Sequence, residues 1–426
     1  MRVLVVGASG LLGSAISVAL SMDGHEVIGA TRSGRPSGLA RAISIDMRTA
    51  RAEDWLRSLQ GIDTVINCAG VLQDSSRDST NAAHADGPAE LFSACEAAGV
   101  RKVIHFSAIG MDRETPTAFS QSKARGDAAL QASDLDWVIL RPSVVVGQSA
   151  YGGSALFRGL AALPILPELK DAGKIQVVLL SDVVATVRFF LQSGAPTRLA
   201  LELAGPERLA FEEVVSEYRA WFGWRPARRI RLPQGLMRAV FAAGDFAGWL
   251  GWRPPVRTTA LIEMKRGAVG NAEPWMATNG IKPASLRASL MSVPASVQEK
   301  WFARLYLFKP VIFTVFSLFW IPTAFMSLGP GWDIGIRYMN EGGVTGSWAA
   351  ATVIAGAMAD LAVGIGIAVR RTTRPALYAA FGLSLAYVLI GTWLVPGLWI
   401  DPLGPMLKIW PILALNLVAI AILEDR

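Results

Sequence analysis

Three glycines set the chemistry that this chain can do. Gly7, Gly10 and Gly13 stand three residues apart, directly after the apolar run Val3–Val6 and before an amphipathic stretch. A pyrophosphate reaches the free N–H groups of a helix N-terminus only where no Cβ blocks the approach, so glycines at this spacing after a strand predict a dinucleotide cradle. Ser9 and Leu12, between them, line the same turn. Arg32 closes the next apolar run, His25–Ala30, where an acidic residue would favour NAD and a basic one suits the 2′-phosphate of NADP. NADP is therefore the expected cofactor, with NAD as the alternative, unless Arg32 is simply a solvated loop residue. Asp46 and Met47 end a third run, Ala42–Ile45, at the place where side chains meet an adenine. After a fourth, Asp63–Asn67, the small residues Cys68, Ala69 and Gly70 let backbone approach the cofactor. His25, His84 and His105 have no metal-ligand spacing, and no metal site is expected.

Alternation of such short apolar runs with helical patterns predicts an α/β fold with a parallel sheet. A helix is expected over Ser79–Ala98, a fifth strand over Arg101–Phe106, a helix opening at Phe119, and a sixth strand over Trp137–Leu140. Tyr151–Leu163 is expected to cover the cleft, Ile175–Leu179 to form another strand, and Ser181 with Asp182 to cap a helix over Val183–Gln192.

Taken in order, the glycine turn, Cys68-Ala69-Gly70, Ser107, Lys123 and Arg141-Pro142 resemble the extended or atypical short-chain dehydrogenase/reductases over residues 1–300. The branch resembled is that of the nucleotide-binding accessory subunit of respiratory complex I. The resemblance implies that Ser107 polarises a substrate carbonyl, that Lys123 holds the nicotinamide ribose, and that Pro142 lies against the cofactor. It also implies a proton-donating tyrosine four residues before the lysine, where this chain has Phe119. Without it, carbonyl reduction loses the roughly 10²–10⁴-fold that a general acid supplies. His84, or a water held by Ser107, is the alternative donor, without support from spacing. His105, two residues before Ser107, reads as a core histidine.

The last 126 residues obey a different solvent. Four apolar segments, near 305–328, 347–369, 376–398 and 403–423, are each about 20 residues long, the length that crosses a bilayer. Their number and composition resemble the DoxX-like family. The expected fold is a Rossmann-type doubly wound parallel sheet with a small substrate lobe, followed by a four-helix transmembrane bundle. Its domains are 1–195, 196–300 and 301–426. Lys300, Arg304 and Lys309 precede or open the first span, and Arg370, Arg371 and Arg374 separate the second from the third, so both termini are expected in the cytoplasm of a bacterial-type inner membrane. The start of a strand at the very N-terminus, with no signal peptide, fits that orientation, as does the expected reduced state of Cys68 and Cys95. Trp332, Trp348, Trp393 and Trp399 would mark the outer interface. The net charge of +7 comes without a basic-aromatic block, which argues for membrane-side charge rather than nucleic-acid binding. Trp221–Trp275, rich in tryptophan and arginine, fits a membrane interface and equally a solvated loop beside an aromatic core. Asp360, inside the second span, costs about 2.5–3.5 kcal/mol to insert and is expected to face the bundle interior or to pair, with Lys309 nearer in depth than Lys408; a structural pair and a proton or substrate role both stay open.

Two functions remain open on this basis: a reductase acting on a lipophilic substrate, quinone or isoprenoid-like, or a non-catalytic NAD(P)H-binding sensor or assembly factor. A transporter would need more polar residues in the bundle than Asp360.

Overall fold

The computed structural model describes residues 1–34, 41–75, 78–169 and 171–423. The expected end of the membrane domain at Arg426 lies outside them. Two compact bodies are present: Met1–Phe246 with Pro254–Arg304, and Ala247–Arg253 with Leu305 onward.

The first body is built on a seven-stranded parallel sheet. Its strands are β1 (Arg2–Val6), β2 (Glu26–Thr31), β3 (Arg41–Ser44), β4 (Thr64–Asn67), β5 (Lys102–Phe106), β6 (Asp136–Pro142) and β7 (Leu199–Leu203), in the order β7-β6-β5-β4-β1-β2-β3. The strands read as unbroken apolar runs because both faces are covered. Val3 and Val5 point into one core with Ile16, Leu20 and Ile104, whereas Leu4 and Val6 point into another with Trp55, Leu91 and Val103. Helices α1 (Leu11–Met22), α2 (Ala52–Leu59), α3 (Gly87–Ala98), α4 (Ala118–Gln131) and α5 (Leu180–Phe190) supply the covering layers. The strand order reverses between β1 and β4, and a crevice opens at such a switch point beyond the carboxyl ends of the strands.

Three local expectations are corrected. Ser181 and Asp182 do not cap a helix, because α5 begins at Leu180 with Leu179 as N-cap, so they lie in its first turn. The strand expected over Ile175–Leu179 shrinks to Val178–Leu179, with Ile175 in isolated bridges to Leu209 and Ala268. The helix expected over Ser79–Ala98 is interrupted by a π-turn at Ala82–Asp86. Pro88 lies just beyond and has no N–H for the i→i−4 ladder, a physical reason for the helix to widen there.

Helix α6 (Gln234–Trp249) and helix α7 (Val297–Leu305) follow in the lobe, each running across the boundary between the bodies. In the second body, α8 (Phe308–Leu328), α9 (Gly346–Ala368) and α10 (Thr373–Leu394) are long and apolar enough to cross a membrane. The fourth expected span is shorter. Helix α11 covers only Ile409–Ile422, 14 residues, since Pro402 and Gly404-Pro405 hold the preceding stretch in turns. Asp360 is buried and accepts a hydrogen bond from the Tyr387 hydroxyl at 2.7 Å, so a tyrosine on α10 is its partner here, not a lysine.

Candidate functional site

The glycine turn sits on one side of the switch point. Gly7 has φ +76°, and a Cβ there would come within 2.9 Å of Ala69 N; a Cβ on Gly13 would overlap the Gly7 carbonyl oxygen. Strand β1, α1 and the turn after β4 therefore meet backbone to backbone. No side chain caps α1 at Gly10, which leaves its first N–H groups directed into the crevice. The glycine cradle and the uncapped helix end fit a dinucleotide pyrophosphate. Ser9 is exposed at the turn, and Leu12 packs against the core below it.

At the adenine-ribose corner, Arg32 pairs with the carboxylate of Asp78 at 2.8 Å and Arg48 pairs with Asp46 at 2.5 Å. Hydrogen bonding from Arg48 holds the Asp46 carboxyl below its usual range. Met47 packs into the core with Leu4 and Val6, and Asp46 and Arg48 pair at the surface of the same turn. The sequence pattern singled out neither Arg48 nor Asp78.

On the other side of the switch point, the turn Cys68–Gly70 meets two side chains. A Cβ on Gly70 would lie 3.5 Å from His84 Nε2 and 3.6 Å from Lys123 Nζ. Lys123 is buried and donates to the Phe106 carbonyl at 2.7 Å, the last carbonyl before Ser107. Burial lowers its pKa to about 8. Thr117 and Ser120 form a reciprocal cap at the start of α4, and the helical spacing then puts Phe119 and Lys123 on one face. The Phe119 ring meets His84 edge-on, with centroids 5.4 Å apart.

Both ring nitrogens of His84 are engaged within the protein. The Val71 N–H donates to its Nε2 at 3.0 Å, so the network places its proton on Nδ1, which lies 3.0 Å from Ser122 Oγ. Burial, reinforced by the Lys123 charge, lowers its pKa to about 2, and the ring is neutral. Its position depends on the π-turn, a feature that a simple 3.6-residue pattern does not disclose.

Ser107 Oγ is buried beside Asp127 without a hydrogen bond of good geometry. Asp127 Oδ1 and His105 Nε2, 3.7 Å apart, are also unpaired, so His105 is a core histidine with one unsatisfied nitrogen. The Asn67 amide lies 3.1 Å from its Nδ1. Arg141 holds the other Asp127 oxygen at 3.0 Å and reaches Asp112 at 2.8 Å. The Pro142 carbonyl accepts the Ile109 N–H at 3.1 Å, fixing the loop that follows Ser107. Lys123, Phe119, His84 and Gly70 thus come together beside the strand end that carries Ser107, whose hydroxyl is buried next to Asp127.

The sheet order and the glycine cradle define a Rossmann fold built to hold a dinucleotide. Comparison with known proteins agrees: residues 7–160 match the NAD(P)H-binding family and residues 317–417 the DoxX-like family. The chain therefore joins an NAD(P)-binding, short-chain dehydrogenase/reductase-like domain to a DoxX-like domain with three apolar helices, which mark it as a membrane protein. Over 243 residues it is 26% identical to the ceramide reductase of Caulobacter vibrioides, covering 56% of this chain and 75% of that one. It is 24% identical over 178 residues to the NADH dehydrogenase [ubiquinone] 1 alpha subcomplex subunit 9 of Dictyostelium discoideum, covering 41% of this chain and 49% of that one. Among solved structures, WbmG of Bordetella bronchiseptica in complex with NAD and UDP superposes with a TM-score of 0.53 at 19% identity, covering 71% of this chain and 96% of that one, which is a likeness of fold.

Proposed function

We propose that this protein is a membrane-anchored, NADP(H)-preferring reductase of a lipophilic carbonyl or quinone, with its nucleotide domain and both termini on the cytoplasmic side of a bacterial-type inner membrane. The observation that carries the proposal is the joining, in one chain, of a dinucleotide cradle facing Ser107 and Lys123 to apolar membrane helices. A ceramide reductase among the relatives supports a lipid as substrate.

When bound, a reduced nicotinamide supplies a hydride. Ser107, whose hydroxyl lies beside Asp127, turns it to the substrate oxygen and polarises it. Lys123, anchored on the Phe106 carbonyl, keeps its remaining N–H donors for the ribose hydroxyls beside Gly70. Phe119 contributes an apolar wall and no proton, so the oxygen of the product takes its proton from a water that Ser107 holds, and the hydroxide left behind is neutralised by solvent. Arg32 and Arg48 present two guanidinium groups to a 2′-phosphate, in competition with Asp78 and Asp46.

The test is NADPH consumption by the protein in lipid nanodiscs, with a panel of long-chain ketones, aldehydes and quinones and product analysis of each. Turnover with lipophilic acceptors and little with short-chain analogues supports the proposal. The second function, a nucleotide-binding sensor or assembly factor, is favoured by Phe119 alone, and it predicts tight NADPH binding with no consumption across the panel.

A further inference from the structure

We propose that helices α6 and α7 of the first body carry a lipid-facing surface, and that the headgroup zone of an anionic bilayer covers it. This rests on the apolar faces of those helices and is independent of whether the nucleotide site turns over.

Helix α7 shows the pattern most clearly. Its inner face is occupied within the first body: Ala303 is buried, Glu299 pairs at 2.9 Å with the buried Arg158, and the Arg304 guanidinium stacks over Trp224 at 5.3 Å. The opposite face of a helix docked on a water-soluble body is ordinarily polar. Here it holds Val297, Trp301 and Leu305, at i, i+4 and i+8, which are 64%, 64% and 57% exposed. In the second body, Phe308, Val311, Val315 and Leu318 of α8 are likewise exposed.

Length decides where the stripe lies. The 21 residues of α8 already reach about 31 Å at 1.5 Å per residue, the thickness of the hydrocarbon core. The α7 part of the stripe therefore falls outside that core, at the level where tryptophan rings and basic side chains are favoured. Lys300 on α7 supplies charge that attracts anionic headgroups.

Helix α6 is exposed over most of its first-body length: Phe241 and Gly244 are buried, while Leu236, Val240 and Ala243 are exposed, near the exposed Arg238. Its chain continues into Ala247–Arg253 of the second body. There Trp252 stacks against Phe313 at 4.8 Å and donates its indole N–H to the Ala368 carbonyl at 2.8 Å. Phe313 lies near the start of α8 and Ala368 at the end of α9, so the segment after α6 is tied to helix ends and not to mid-span positions.

The experiment uses the full chain with single cysteines at Leu236, Val240, Val297 and Trp301, and with Glu53→Cys on α2 as a control in water. Each is labelled with an environment-sensitive fluorophore and placed in nanodiscs of phosphatidylcholine with phosphatidylglycerol. NADPH affinity equal to that of the parent verifies folding of each labelled protein. The expected result is loss of fluorescence to brominated lipid at the four stripe positions and to aqueous iodide only at position 53. Iodide quenching of the stripe positions equal to that of the control overturns the proposal. Protection from both quenchers, with crosslinking between copies, also overturns it and assigns the face to a second copy of the chain.

Discussion

Replacing Lys123 by methionine separates what the buried ammonium costs the fold from what it does for the nucleotide. Burial lowers the Lys123 pKa from 10.5 to about 8, which at 1.36 kcal/mol per pH unit corresponds to about 3 kcal/mol of penalty on the charged form. Methionine has similar length and no charge. It loses the hydrogen bond to the Phe106 carbonyl, worth about 1 kcal/mol, so the nucleotide-free variant is expected to be about 2 kcal/mol more stable at pH 7. The sign follows from linkage: the unfolded chain binds the Lys123 proton more tightly, so the parent gains stability as pH rises from about 8 to 10.5. The advantage of Lys123→Met is therefore full at pH 7 and disappears by pH 10.5. Denaturant unfolding of the detergent-solubilised protein at pH 7 and pH 10.5, alongside NADPH titration, measures both effects. Nucleotide affinity is expected to fall at least about tenfold with loss of a charged donor worth about 1.5–3 kcal/mol. A variant less stable than the parent at pH 7, with unchanged nucleotide affinity, refutes the assignment of Lys123 as a strained, ligand-holding group.

Further outcomes follow from the same geometry. Arg32→Ala is expected to narrow a preference for NADP(H) over NAD(H) by about 1.5–3 kcal/mol in paired titrations, and equal affinities in the parent contradict an Arg32-borne preference. Gly13→Ala drives a Cβ into the Gly7 carbonyl oxygen, so NADPH binding should be lost in calorimetry, and a variant that binds like the parent removes the cradle from the account. Phe119→Tyr places a hydroxyl at the ring edge beside His84 and is expected to raise turnover of simple aldehydes by about 10²-fold; a parent that already turns them over at about 1–10³ per second shows that another group gives the proton. Reporter fusions after Arg426 and within Arg370–Arg374 should be active in the cytoplasm, and fusions within Asp333–Gly343 in the periplasm. A periplasmic C-terminus with a cytoplasmic Arg370–Arg374 signal makes the short helix α11 a non-spanning one, and periplasmic signals at both reverse the orientation.

How far the chain discloses its own structure depends on the range of the interaction. The glycine turn, the small-residue turn at Cys68–Gly70 and the strand ending before Ser107 rest on local sterics and on unbroken apolar runs, both of which are visible in sequence, whereas the order of the strands rests on long-range pairing. Lys123 and Phe119 share a face because helical spacing requires it. His84 reaches the crevice through a π-turn, and Arg48 and Asp78 join Arg32 through pairing across 46 residues and neighbouring turns; no periodicity encodes either. The short α11 reflects prolines that interrupt a segment whose average hydropathy alone resembles a span. Tyr387 as the partner of Asp360 depended on the relative rotation of two helices, which hydropathy does not contain.

The central claim is hydride transfer from a nicotinamide held by this cradle to a lipophilic acceptor. The direct measurement compares NADPH with NADPH deuterated at the transferring position of C4, with the protein in nanodiscs and a long-chain carbonyl or quinone as acceptor. Acceptor-dependent consumption that slows on deuteration, and that disappears in Gly13→Ala, is the predicted result. Tight NADPH binding with no acceptor-dependent consumption at all contradicts the account.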